Sequence, residues 1–376
     1  MGTERLSRRQ RRALGSIGLA IVVIAVAAFA FLHSTVRSTT KSPLQSINPR
    51  LVTSNPVRYD FVTPTLGWAV EYGVTPATTT GQFRVFKTTD GAQHWEAQLT
   101  GQGSGPGFIS IEVQFLDRMH GFMTVGVPSY GEQFYRTNDG GAHWQPVALP
   151  APLIVVVTFS DANHGWALAQ PSSGSASTTG QLFKLYATRD RGLTWQALPD
   201  PPADAYYLAY RGPTEAWMGS LGPSLPHVYT STDGGHSWQR HDLNPPPGRT
   251  WNTSGSGSSV QLLPVAGAVA STEGTDLFTS FDAGTTWRYV PAPPGQVAYQ
   301  DAFHWWAINS PALYKSSDAG QTWTQVTDAL PHWEFVPHVI DSKHAWAELT
   351  VVGGYALALT DDGGLHWTQA SVPPTG

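Results

Sequence analysis

A single eight-residue pattern, Ser/Thr-x-Asp-x-Gly-x-Thr/Ser/His-Trp, occurs seven times along the 376 residues of this chain, the first copy with Ala92 in the glycine place. The copies read T-T-D-G-A-Q-H-W (88–95), T-N-D-G-G-A-H-W (137–144), T-R-D-R-G-L-T-W (188–195), S-T-D-G-G-H-S-W (231–238), S-F-D-A-G-T-T-W (280–287), S-S-D-A-G-Q-T-W (316–323) and T-D-D-G-G-L-H-W (360–367). Their aspartates, Asp90, Asp139, Asp190, Asp233, Asp282, Asp318 and Asp362, recur every 36 to 51 residues. A fixed period of about 45 residues marks a repeat architecture and suits one four-stranded propeller blade per copy.

The pattern has the chemistry of a turn. Asp and Ser/Thr side chains hydrogen-bond nearby backbone N–H groups. Glycine adopts the positive φ that tight hairpins need. The tryptophan opens the following strand with a large apolar body. The seven aspartates are therefore expected to be structural. T-D-D-G-G near 361 faintly resembles a calcium loop but lacks the later Glu of an EF-hand.

A second signal precedes six of the seven boxes: G-W-A-V (67–70), H-G-F-M (120–123), H-G-W-A-L (164–168), E-A-W-M-G (215–219), H-W-W-A-I (304–308) and H-A-W-A-E (344–348). The unit with the fifth box has G-A-V-A (267–270) there and is expected to be the least regular. Short β-rich runs lie upstream of each. Every unit thus reads as strand A, turn, strand B, loop, strand C, box turn, strand D. The expected fold is an all-β, seven-bladed propeller over 57–376, a closure that leaves few exposed sheet edges.

The N-terminus is a separate object. Arg5, Arg8, Arg9, Arg11 and Arg12 form a basic tail (1–13) before an apolar run, 14–32. Nineteen such residues just span a bilayer as a helix, and the preceding arginines set the N-terminus in the cytoplasm. The competing reading is a cleaved signal peptide, with Ala28-Phe29-Ala30 as its cleavage site. On either reading the propeller is expected outside the cytoplasm, after a linker at 33–56. Beyond residue 32 acidic residues outnumber basic ones by nine, which argues against nucleic acid as a partner. There is no cysteine for a disulfide or a thiolate metal site.

The repeated S-x-D-x-G-x-T-W boxes resemble the Asp-box, or BNR-repeat, superfamily of sialidases, sortilin-type receptors, some glucanases and photosystem II stability/assembly factors. The pairing of G-W-A with T-x-D-G-G-x-H/T-W, after an export segment, looks most like the assembly-factor propellers. The resemblance implies a propeller; it implies little about activity, because fold does not fix function. The sialidase branch would imply an Arg-Ile/Leu-Pro segment, three arginines clamping a carboxylate, a Tyr–Glu pair and an Asp acid/base. No Arg-Ile-Pro or Arg-Leu-Pro occurs; Arg58 and Arg84 stand in R-Y-D and R-V-F. Clamping arginines would have to come from Arg58, Arg118, Arg136, Arg211, Arg249 or Arg288. Asp117, Asp161, Asp301 and Asp341 recur at the A–B turn and read as turn residues, as do the repeat-locked histidines. No catalytic residue, metal ligand or cofactor motif emerges.

Binding residues concentrate on loops over a rigid scaffold. The long segments 71–81, 170–180 and 240–254 fall on the D–A and B–C loops, which share one face. Asn252-Thr253-Ser254 in the last of them matches a glycosylation sequon. Trp251 and Trp333 lie outside both repeat positions, and Trp305 is an extra tryptophan beside the strand B one. With Arg249 they are candidate binding anchors, buried packing being the alternative. The expected function is a membrane-tethered, extracytoplasmic propeller that binds a protein partner, as an assembly or stability factor would. The alternatives are a glycan-binding or glycan-cleaving surface protein and a purely structural module.

Overall fold

Each unit of the repeat folds into a four-stranded antiparallel sheet whose strands A to D follow in chain order. The structure, a computed structural model, describes residues 47–74, 81–103, 110–127, 131–151, 154–170, 183–221, 225–251, 257–272, 276–331 and 335–374. The basic tail, the apolar run and the linker up to residue 46 lie outside the described residues. Among the described residues no helix is long and apolar enough to cross a membrane.

Seven sheets span 57–102, 110–147, 154–197, 205–242, 258–290, 296–327 and 335–370. The fourth and fifth are also joined by one bridge, Ser220 to Ser258. In the first sheet Val57–Phe61 pairs with Gly67–Val74, that with Gly81–Thr88, and that with Glu96–Gln102. Burial grades across each sheet. Strand B of the third, Gly165–Ala169, is buried at every residue, whereas strand D of the fourth, Gln239–Asp242, is largely exposed. A strand buried on both faces must have neighbouring sheets on either side. Strands A of neighbouring sheets touch at four of the boundaries, so they lie innermost.

The box turns behave as their chemistry dictates. In the second, Asp139 accepts hydrogen bonds from Thr137 Oγ1 (2.9 Å), His143 N (2.9 Å) and the His143 ring (2.7 Å). Thr137 Oγ1 in turn accepts from Gly141 N at 2.9 Å. Asp90 and Asp362 repeat this set, and at Asp190, Asp233, Asp282 and Asp318 the hydroxyl of Thr194, Ser237, Thr286 or Thr322 donates in place of the ring. In the first box the backbone N–H of His94, then its ring, holds Asp90 down at about 2. The A–B turns use the same device: Asp117, Asp161, Asp301 and Asp341 each accept from the main chain and ring of the histidine three residues on.

Strand B aromatics couple most sheets to the next. The Trp68 ring stacks on Phe115, and its Nε1 donates to the carbonyl of Gly140 at 3.1 Å. Trp166 does the same with Tyr210 and Gly234, and Phe122 stacks on Phe159. Gly141, at φ 89°, leaves room for this contact, since a Cβ there would stand 2.9 Å from Trp68 Nε1. The series returns to its start: Trp346 of the seventh sheet packs on Tyr59 and Phe61 of the first. Sheets in sequence with the last packed on the first make a β-propeller.

Two expectations need correction here. The fifth sheet is not the least regular. Its strands pair without a register shift, while the first, third, fourth and sixth sheets each contain one. Its strand B carries Val269 where others carry an aromatic, and Trp305 packs into the space left. Trp305 is fully buried among Leu263, Val269 and Val290 of the fifth sheet and lies against Gly320 of the sixth box. Trp305 therefore offers no surface to a ligand; it is the wedge between the fifth and sixth sheets.

The segment before the first sheet straps the closure. Thr53 and Tyr355 exchange main-chain hydrogen bonds of 2.9 and 2.8 Å. Gln369 binds Asn48 and Leu51, and Trp95 Nε1 donates to Ser371 O at 2.9 Å.

Candidate functional site

Strands A present their even-register side chains away from the sheet cores; two adjacent inner strands carry charge there, beside Glu348 on strand B of the seventh sheet. Arg58 and Asp60 alternate with buried Val57, Tyr59 and Phe61 in the first sheet. Arg58 pairs with Val70, Glu112 with Thr124 and Val336 with Glu348, so these residues share one level of the inner strands. Asp60 and His338 lie one step further along, opposite Trp68 and Trp346.

The contacts cross sheet boundaries. Glu348 accepts from Arg58 Nη1 at 3.0 Å and from the main-chain N–H of Tyr59 at 3.2 Å. Asp60 accepts from the Phe115 N–H of the second sheet at 2.5 Å. These carboxylates satisfy inner-edge donors that no fifth strand pairs. His338 stacks on Trp346, with ring centroids 3.8 Å apart.

Electrostatics sets this cluster apart. Burial pushes Asp60 up to about 7, against the pull of the Phe115 N–H. Crowding by the neighbouring inner strands and the Glu348 charge also push Glu112 up to about 7, with Arg58 opposing, although its side chain stays open to solvent. Crowding by the inner strands and then Arg58 push His338 down to about 4, although its ring keeps an exposed edge. Near neutral pH the cluster sets one fixed cation, Arg58, against Glu348 and two half-titrated carboxyls. Perturbed groups gathered in one place are what functional sites require. The balance favours a cationic or hydrogen-bond-donating group. Among the described residues no set of His, Asp and Glu is grouped to hold a metal ion.

The residues singled out from sequence fare differently. Arg249 is exposed, forms an ion pair with Asp276, and lies 6.0 Å above the Tyr289 ring. Trp251 is half-buried; its Nε1 donates to Leu243 O at 2.7 Å and its ring tilts against Phe278 at 6.0 Å. Both therefore gather at the loop end of the fifth sheet. Trp305 is in the core, as described, and Trp333 lies outside the described residues. The arginines that a sialidase clamp would need are dispersed. Arg58 engages Glu348, Arg136 engages Gln145, Arg211 engages Glu215 and the Leu263 carbonyl, and Arg249 engages Asp276.

Sequence reasoning missed the inner-strand cluster. Its signal was register: aligned on the strand B aromatic, Asp60 and His338 fall at the same place, and Arg58 and Glu112 two residues earlier.

Comparison with known proteins fits this geometry. No family model matches the chain. It is 29% identical over 137 residues to the photosystem II assembly lipoprotein Ycf48 of Synechococcus sp. (strain CC9902), covering 34% of this chain and 35% of the relative. It is 26% identical over 263 residues to a probable oligoxyloglucan-reducing end-specific xyloglucanase of Neosartorya fischeri, covering 59% of this chain and 31% of the relative. The chain thus spans about a third of the length of these curated relatives. A solved structure described as YCF48 bound to D1 peptide superposes with a TM-score of 0.54 at 18% identity, covering 90% of this chain and 100% of the other. YCF48 from Cyanidioschyzon merolae gives 0.50 at 17% identity, with 86% and 97% covered. In sequence and in fold, the chain is similar to Ycf48-type β-propellers.

Proposed function

We propose that this chain is a propeller that binds a protein partner at the loop end of its inner strands, as an assembly or stability factor for a membrane complex. The observation that carries the reading is the acid-weighted cluster of Arg58, Asp60, Glu112 and Glu348, which three adjacent sheets build together. An extended segment of a partner carrying lysine, arginine or free N–H groups suits it. The similarity to Ycf48, a photosystem II assembly lipoprotein that has been solved with a D1 peptide, supports this class of role. The arginines before the apolar run 14–32 support a membrane tether with the propeller outside the cytoplasm.

A photo-crosslinking residue at Gln114, on the inner strand, tests the reading against one at Thr324, on an outer strand. In membranes of the source organism, a single partner should crosslink from position 114 and not from 324. The charge-neutral double variant Arg58→Gln/Glu112→Gln should weaken that partner's binding about tenfold. Crosslinks confined to position 324, or unchanged affinity in the double variant, would refute it.

A second reading, a glycan-directed protein, rests on Asp60 and Glu112. Two carboxyls that titrate near neutrality on adjacent strands are the groups a glycosidase uses as acid and base. The similarity to a xyloglucanase supports it less, since it covers 31% of that protein.

A further inference from the structure

At the opposite end of the strands from these loops, the second and third sheets meet in a shallow, open depression of about 10 Å³. Arg136, His120, Asn138 and Gln145 line it from the second sheet and Arg191 from the third. We propose that this depression is a carboxylate-binding site in which the guanidinium groups of Arg136 and Arg191 hold the ligand. The reading is independent of the partner site at the loop end.

Three observations carry it. First, Arg136 has a donor to spare. Its Nη2 bonds Gln145 Oε1 at 3.0 Å, but its Nη1 is buried without an acceptor. A buried, unpaired guanidinium donor is costly and calls for a partner.

Second, two cations are held close together. Burial and then the Arg191 charge push the Arg136 pKa down. Arg191 bonds Asn163 Oδ1 through Nε at 3.1 Å, which leaves the two Nη groups of its fork for a ligand.

Third, Arg191 occupies a place that suits another residue better. It is the fourth box position, at φ 68°, where four of the other six boxes have glycine and two have alanine. A long side chain at positive φ is strained, and strain of this kind persists where function requires it.

The surrounding charges set the ligand class. Asp190 lies near Arg136 but spends its oxygens on its own turn, accepting from Thr188 Oγ1, Thr194 N and Thr194 Oγ1. The ring of His120 is held by Asp117 at 2.8 Å. Two guanidinium cations less one neighbouring carboxylate leave room for a single negative charge. Paired guanidinium forks match the two coplanar oxygens of a carboxylate. A monoanionic carboxylate therefore fits better than a phosphate dianion.

The test is the melting temperature of the full chain in detergent, titrated with sodium acetate, inorganic phosphate or chloride at equal ionic strength. Acetate at 100 mM should raise it by about 2 °C over chloride, as expected for a millimolar site. Phosphate should give less. Arg191→Gly keeps the fold, because glycine relieves the positive φ, and should melt above the wild type in chloride. It should lose the acetate shift entirely. Two capped tripeptides assign the source of the carboxylate: acetyl-Gly-Asp-Gly-amide offers a side chain and acetyl-Gly-Gly-Gly a chain end. A shift from either that is absent in Arg191→Gly supports the site. No difference between acetate and chloride overturns the proposal, as does an acetate shift that survives in Arg191→Gly or a larger response to phosphate.

Discussion

The Trp68 indole lies flat on the phenyl ring of Phe115, with centroids 3.4 Å apart and planes 6° from parallel, although the two residues belong to different sheets. The Trp68 ring is fully buried, and its Nε1 is satisfied by the next sheet's box turn. Trp68→Ala therefore opens a cavity between two sheets and strips the Gly140 carbonyl of a donor. The expected cost is about 3–5 kcal/mol, the range for large-to-small core changes. Urea unfolding would measure it; a loss under 1 kcal/mol would mean the sheets are not coupled through this ring.

Box aspartates should matter for stability and not for binding. Asp139→Ala removes the acceptor for His143 N, and the turn donor is left unmade. A loss of about 1–3 kcal/mol is expected. Partner binding by the folded fraction should be unchanged. Lost binding with an unchanged melting temperature would make the box a recognition element.

Acidification separates Glu112 from the box carboxylates. Its folded value is about 7 and its ordinary value 4.5, so between these the folded state holds a proton that the unfolded chain has released. That contribution to stability is present at low pH and fades as pH rises through about 7. Glu112→Gln keeps the neutral form at every pH. The variant should melt close to the wild type at pH 4.5 and above it at pH 8, with the gap widening between. Titration of the box aspartates, set lower by their turn hydrogen bonds, cancels in this comparison. A gap independent of pH would show that Glu112 ionises in the ordinary carboxylate range.

Catalysis is testable directly. The full chain should not turn over fluorogenic sialosides or xyloglucan oligosaccharides between pH 4 and 8. The arginines that would clamp an acid sugar are spread over separate sheets and do not converge. Turnover abolished by Glu112→Gln or Asp60→Asn would favour the glycan reading.

The box turns, the strand order and the strand B aromatics were legible because each is encoded within about eight residues, by side chains that bond their own backbone. Trp305 was misread for the opposite reason. Its role depends on Val269, 36 positions earlier, and a residue that fills a neighbour's gap looks like a surplus one along the chain. The Asp60–Phe115 and Glu348–Arg58 contacts were invisible for the same cause, since they arise only when sheets distant in sequence become neighbours. The orphan Nη1 of Arg136 has no sequence signature at all.

The strap at the ring closure has a consequence for how the molecule comes into being. Ser371 Oγ donates to the Ala92 carbonyl across 279 positions. Asn48 and Gln369 join across 321. Contacts of such separation are slow to form, because a long loop must be ordered before they reward it. During synthesis the first sheet is finished early but cannot be covered on its open flank until the seventh exists. For that interval Tyr59 and Phe61 are exposed to water and to any bystander. The opening sheet is thus the segment most in need of a chaperone, and the seam where it meets the last is where an ageing or heated molecule should first come apart.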